Sequence, residues 1–145
     1  MPTLTSLAHR KDQPAGVIRT TAATAERIAK DILKGNKVIE ILVIVNETGE
    51  LLSSHESERL DEADREPDEL LQKYAALTTL LLGAADVKDE RLGGLELMVI
   101  VFKKTKVVLM RLPEYNVKLG MRVDRSASGE HLYRKIVDAF VANEG

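Results

Sequence analysis

The sequence predicts an α/β protein, a three-layer α/β/α sandwich around a five-stranded, mainly antiparallel sheet. Segments with helical spacing alternate with β-branched runs in the order helix, strand, strand, helix, strand, strand, strand, helix. The links between successive strands are short enough for hairpins, which makes their pairing antiparallel. Two of the runs, Val38 to Val45 and Leu95 to Phe102, are apolar at almost every position. Strands of that kind need a helix on each face of the sheet.

Residues 1–16, with Pro14 and Gly16 ahead of any periodic pattern, read as a flexible N-terminal arm, and 17–145 as a single domain. Thr20 or Thr21 caps a first helix whose apolar positions are Ala25, Ile28, Ala29, Ile32 and Leu33, with Gly35 placed for a left-handed C-terminal cap. Val38 to Val45, interrupted only by Glu40, is the first strand. Asn46-Glu47-Thr48-Gly49-Glu50 is a turn with Gly49 suited to positive φ, and Leu51 to His55 returns as the second strand. Glu56 to Glu66 has no periodicity and reads as an acidic loop. Pro67 suits the first turn of a second helix, with Asp64 or Glu66 ahead of it and Asp68 and Glu69 in the positive field of its N-terminus. This helix is expected to reach about Leu92 and stop at Gly93-Gly94. Gly83 inside it costs ~1 kcal/mol relative to alanine and marks a close helix contact or a break.

Leu95 to Phe102, a turn at Lys103-Lys104, and Thr105 to Leu112 form the next hairpin. After a turn at Pro113-Glu114, Val117, Leu119, Met121 and Val123 alternate with Lys118, Gly120 and Arg122, the pattern of a half-buried strand. Ser126 or Ser128 caps a last helix with an inner face of Leu132, Tyr133, Ile136, Val137, Phe140 and Val141.

A chain of 145 residues buries roughly 70% of its unfolded surface without help from metals or disulfides. With no cysteine, thiolate metal sites and a Cys nucleophile are excluded. Met1 to Gly16 holds no apolar run of signal-peptide type and the apolar stretches are too short to cross a bilayer, so a cytoplasmic protein is expected. The net charge of −2 argues against nucleic acid as a partner, and aromatic stacking platforms are scarce. The charge is uneven. Glu56 to Glu69 has eight acids and two arginines (net −6), and Lys103 to Lys135 has nine bases and three acids (net +6).

Two features are not satisfied by one copy of the chain. At the helical 100° per residue the second helix has an apolar arc about 180° wide, against about 100° needed to pack on one sheet. If the last strand pairs with the first, Leu95 to Phe102 becomes an edge, and an apolar edge strand needs a partner or a cover. Two copies pairing edge to edge with their second helices packed together satisfy both. The predicted dimer interface is Leu70, Tyr74, Leu77 and Leu81 on the helix with Leu95, Leu97, Val99 and Val101 on the strand. Lys103, Lys104, Lys106, Arg122 and Arg125 form a candidate patch for an anion or a partner protein, with anionic lipid and nucleic acid as the other ligands of such a patch.

Over roughly Thr20 to Ala142 the chain resembles the roadblock/dynein-light-chain family (roadblock/LC7). The hairpin Val38-Ile39-Glu40-Ile41-Leu42-Val43-Ile44-Val45-Asn46-Glu47-Thr48-Gly49-Glu50-Leu51-Leu52-Ser53 and the Leu- and Ala-rich second helix carry the resemblance. The resemblance implies a roadblock/profilin-like sheet of order second, first, fifth, fourth, third, and a homodimer or a dimer with a paralogous roadblock chain. It also implies a non-catalytic scaffold or regulator of a Ras-like small GTPase, reaching membranes only indirectly. The alternative is a longin-like adaptor or sensor that binds a membrane surface or small ligand, but the longin fold opens on strands and lacks the helix Thr20 to Lys34.

The residues point to no enzyme, cofactor or metal site. His9, His55 and His131 are isolated from one another, and no phosphate-binding glycine loop is present. Ser53-Ser54-His55-Glu56 holds the residue types of a triad, but neighbours in a strand face opposite ways. Acid pairs such as Asp61-Glu62 sit where nothing would raise a pKa.

Overall fold

The computed structural model describes residues 18–58, 68–87 and 90–144. The predicted arm at 1–16 and most of the acidic loop, with Pro67, lie outside the described residues. The elements are α1 (Ala22–Gly35), β1 (Ile39–Asn46), β2 (Leu51–Glu56), α2 (Asp68–Ala85), β3 (Leu97–Val101), β4 (Thr105–Leu112), a 3₁₀ turn (Pro113–Tyr115), β5 (Val117–Asp124) and α3 (Gly129–Ala142). Their order is the one predicted.

Local chemistry accounts for most boundaries. The Thr21 hydroxyl accepts the Thr24 N–H at 3.2 Å and caps α1, while Thr20 turns away to donate to the Tyr115 carbonyl at 2.8 Å. The end of α1 differs from expectation. Gly35 is its last residue, and Asn36, in extended conformation, closes it by donating its side-chain amide to the Ile32 carbonyl at 2.8 Å. A side chain that satisfies the orphan carbonyl makes a left-handed glycine unnecessary. In the first hairpin the Asn46 side-chain oxygen accepts the N–H groups of Thr48 (3.0 Å) and Glu50 (2.9 Å), and Gly49 takes φ +89°. Ser128 caps α3 through the His131 N–H at 3.3 Å.

All neighbouring strands pair antiparallel, in the order β2-β1-β5-β4-β3. β5 therefore lies in the middle and β2 and β3 are the edges. Leu42, Ile44, Val108, Met110, Leu119 and Met121 pack on one face against Ala25, Ile28 and Ile32 of α1 and Leu132, Ile136 and Phe140 of α3. On the other face lies α2, whose buried stripe is Leu71, Ala75, Thr78 and Leu82. This is the three-layer sandwich. Val141, expected on the inner face of α3, is 52% exposed, and the buried stripe of that helix is Leu132, Ile136 and Phe140.

Two further expectations are corrected. The second helix stops at Ala85, not near Leu92, and Gly93 belongs to a separate turn in which its N–H bonds the Glu90 carbonyl. Leu82 is the last α2 residue fully covered by the sheet, and Asp86, just past the helix, is held at 2.7 Å by Arg111. Gly83 makes no close contact. β5 is buried on both faces rather than half-buried, because α2 covers the Lys118–Gly120 side. Lys118 is buried there with its ammonium 3.7 Å from Glu47. Glu56 completes β2 instead of opening the loop.

Gly120 sets how close α2 comes. A Cβ at that position would lie 2.1 Å from the Thr78 hydroxyl oxygen, which itself donates to the Tyr74 carbonyl at 2.7 Å. The helix thus rests on a bare patch of backbone in the central strand. Gly120→Ala is expected to cost about 1–3 kcal/mol by overpacking. Adding Thr78→Ala, which removes the clashing oxygen, should recover much of it. Denaturant unfolding of the two single variants and the double variant measures the coupling, and simple additivity would refute it.

Candidate functional site

The two edges of the sheet differ in chemistry. β2 carries Ser53, Ser54, His55 and Glu56, and α1 lies across it. β3 reads Leu-Met-Val-Ile-Val and among the described residues pairs only with β4. The Phe102 N–H donates to the Thr105 carbonyl and the Arg111 N–H to the Glu96 carbonyl, so the even-numbered residues bond inward. By the alternation of an antiparallel ladder, Leu97, Val99 and Val101 turn their N–H and C=O groups to the free edge.

The side chains at this edge serve both faces. Leu97 and Val99 lie beside Gly129 at the start of α3, where a Cβ would meet Val99 at 2.7 Å. Ile100 and Phe102 lie on the opposite face with Tyr74, Leu77 and Leu81 of α2, around an apolar cavity of about 100 Å³. Leu77 (48% exposed) and Phe102 (53%) reach the surface from that cavity, and Leu80 of α2 (65%) and Val101 of the strand (54%) are exposed as well. Each fully covered group of this size is worth about 1.5–3 kcal/mol.

The predicted interface residues are accordingly split. Tyr74, Leu77 and Leu81 stand on the α2 face, while Leu97, Val99 and Val101 project to the α3 face and meet the first group only through the strand itself. Leu95 precedes β3 and lines a wide trough of about 780 Å³ with Leu97, Glu96, Glu130 and Tyr133. Leu70 belongs to α2, with its side chain outside the described residues. Ile100 and Phe102, which face α2 directly, are missing from the predicted set. Every position from Leu97 to Phe102 is apolar, so no period marks which half meets which helix.

Of the five basic residues, four gather at one end of the sheet. Lys103 and Lys104 are exposed in the β3–β4 turn, the Arg125 guanidinium donates to the Lys103 carbonyl at 3.3 Å, and the Lys106 ammonium to the Ala127 carbonyl at 2.9 Å. Asp124 sits among them, its carboxyl held below the usual range by the Ser126 hydroxyl and N–H. Arg122 lies elsewhere, on the α2 side of the sheet, donating to Glu40 at 2.8 Å. Burial opposes its charge, and Glu40 and Tyr74 outweigh that and hold it protonated.

Polar residues also converge on α1. The Ser53 hydroxyl donates to one oxygen of Glu26 at 2.8 Å, and His55 Nε2 lies 2.8 Å from the other. Residue types of a triad are present in the wrong order, because the carboxylate stands between hydroxyl and imidazole and no base touches the serine. Among the described residues no His, Asp and Glu cluster is placed to hold a metal, and no helix is long and apolar enough to cross a membrane.

No family model and no curated protein sequence matches this chain. Its fold does match solved structures. A Roadblock/LC7 domain from Streptomyces avermitilis aligns over 81% of this chain and 92% of its own, at TM-score 0.62 and 15% identity. The gliding protein MglB from Thermus thermophilus aligns over 90% and 96%, at TM-score 0.64 and 14% identity. MglB of Myxococcus xanthus aligns over 83% and 84%, at TM-score 0.55 and 17% identity. The chain thus has the roadblock/LC7 fold.

The Glu26 carboxyl is held below its usual range, first by the hydrogen bond with His55 and then by Ser53. A depressed folded-state value means stability that is present above the ordinary carboxylate range and is lost as pH falls through the lowered one. Glu26→Gln should therefore lower the melting temperature above about pH 5 and approach wild type below about pH 4. A gap that persists undiminished in acid would count against this cluster.

Proposed function

We propose that this chain is a non-catalytic scaffold that dimerises through β3 and α2 and binds a Ras-like small GTPase or a related partner protein. The observation that carries the reading is the apolar free edge beside the half-exposed Leu77 of α2. Unpaired backbone donors and acceptors flanked by apolar side chains form a template for another strand. A solved MglB with the same fold has a tetrameric arrangement, which fits a fold that assembles through such surfaces. The GTPase half of the proposal comes from the roadblock resemblance, with the partner's chemistry done by its own residues.

One observation favours this over a longin-like sensor: α1 precedes β1, where a longin fold opens on strands.

Light scattering across a dilution series tests the first half. The expected result is a stable species of twice the 16.1 kDa chain mass, reduced to monomer by Leu97→Lys or Val99→Lys. Soluble lysine variants with unchanged mass would sink the edge-pairing reading. Ras-like GTPases from the same genome, loaded with GDP or a GTP analogue, test the second half, and saturable binding in one nucleotide state is expected.

A further inference from the structure

We propose that the trough at the start of β3 is the docking site of the chain's own N-terminal segment, with Arg10 and Lys11 set against Glu96 and Glu130, and Leu4 and Leu7 covering Leu92 and Val87. The proposal is independent of the self-association reading above. It names an occupant for a surface which that reading leaves open.

The trough, of about 780 Å³, lies between the residues just past α2, the run into β3 and the first turns of α3. Its lining is mixed. Leu92 and Val87 are exposed there, beside the half-buried Leu95 and Tyr133. Exposed apolar side chains grouped in one hollow mark a surface that a further segment covers. Glu96 and Glu130 are exposed at the same place and take part in no side-chain ion pair among the described residues, whereas Asp86 is taken by Arg111. Arg134 is the one base of the lining. The matching occupant is a segment both apolar and basic.

The described chain starts beside this trough. The Ile18 N–H donates to the Glu114 carbonyl at 2.6 Å, and Ile18 packs on the same core as Leu97 and Tyr133. The carboxylates of Glu96 and Glu114 both act on the Tyr133 hydroxyl, which burial first and these charges next push above its usual range. Residues 1–17 precede Ile18 and carry the complementary chemistry. Leu4 and Leu7 are followed by Arg10 and Lys11, and Asp12 is the only acid. Lys11 is seven positions from Ile18, a reach of at most about 25 Å. Exposed ion pairs are individually weak, so a free basic peptide would have to be abundant to fill the trough. A short tether holds this segment at an effective concentration on the order of millimolar, which selects it over such a peptide.

Carbodiimide coupling of the full wild-type chain reads the contact directly, because it joins the Lys11 amine to a touching carboxylate as an amide, with loss of water. Coupling an equal mixture of chains carrying light and heavy nitrogen separates links within one chain from links between chains. The expected products are Lys11–Glu96 or Lys11–Glu130 peptides of a single isotope. Leu4→Ser with Leu7→Ser leaves both coupling groups in place and should lower their yield about fivefold. The chain has no cysteine, so Leu92→Cys gives a second readout. Its thiol should react with a maleimide about fivefold faster once Arg10→Glu and Lys11→Glu are added. Lys11 coupled only to acids outside the trough, or only between isotopes as for a neighbouring copy's segment, overturns the proposal. So does a Leu92→Cys thiol indifferent to the charge at positions 10 and 11.

Discussion

The pairing of β5 with β1 is the constraint on which the rest of this structure depends. The last strand returns to lie beside the first, along a ladder running from Ile39↔Val123 to Asn46↔Val117. That closes a central pair buried on both faces and pushes β2 and β3 outward as the two edges. Each edge then meets its own solution. β2 is polar and overlain by α1, with Ser53 and His55 tied to Glu26 of that helix. β3 has no polar side chain, and α3 packs on it through Gly129 against Leu97 and Val99 while its outer backbone groups have no partner strand among the described residues.

The same central strand governs how the second layer seats. α2 reaches the sheet only because Gly120 has no side chain under Thr78, and around that contact the sheet carries cations. Arg111 and Lys118 are cross-strand neighbours, an unfavourable pairing of like charges. Asp86 beyond the C-terminal end of α2 and Glu47 in the first turn supply an acid to each, and Glu40 does the same for Arg122. Asp86 lies just past α2, so its pair with Arg111 ties that end of the helix to the sheet, whereas Glu47 and Glu40 belong to the first hairpin. A helix held in one place keeps Tyr74, Leu77 and Leu81 in one fixed relation to Ile100 and Phe102.

The element order was legible because helices and strands differ in period, and the first hairpin was legible because Asn46 and Gly49 have turn chemistry of their own. Sheet order came from the family resemblance rather than from the residues. The rest depended on distance in space. Gly120 reads as the polar phase of an amphipathic strand until Thr78, over forty residues earlier, is known to sit on it. The end of α2 is decided by where the sheet runs out and by Arg111, neither of which a local pattern records. At the candidate site the apolar character of Leu97 to Phe102 was legible. Its division between two faces was not, because a uniformly apolar strand has no phase.

The basic turn takes on meaning through the same edge. Read alone, Lys103 and Lys104 with Arg125 suggest an anionic ligand, and in sequence Arg122 enlarges the patch. In space Arg122 is bound to Glu40 on the α2 side of the sheet, so the free charge is confined to the tip that ends β3. A strand with free backbone groups, an acid where it begins and bases where it ends has a direction as well as a surface. That polarity needs no catalytic group and no pocket.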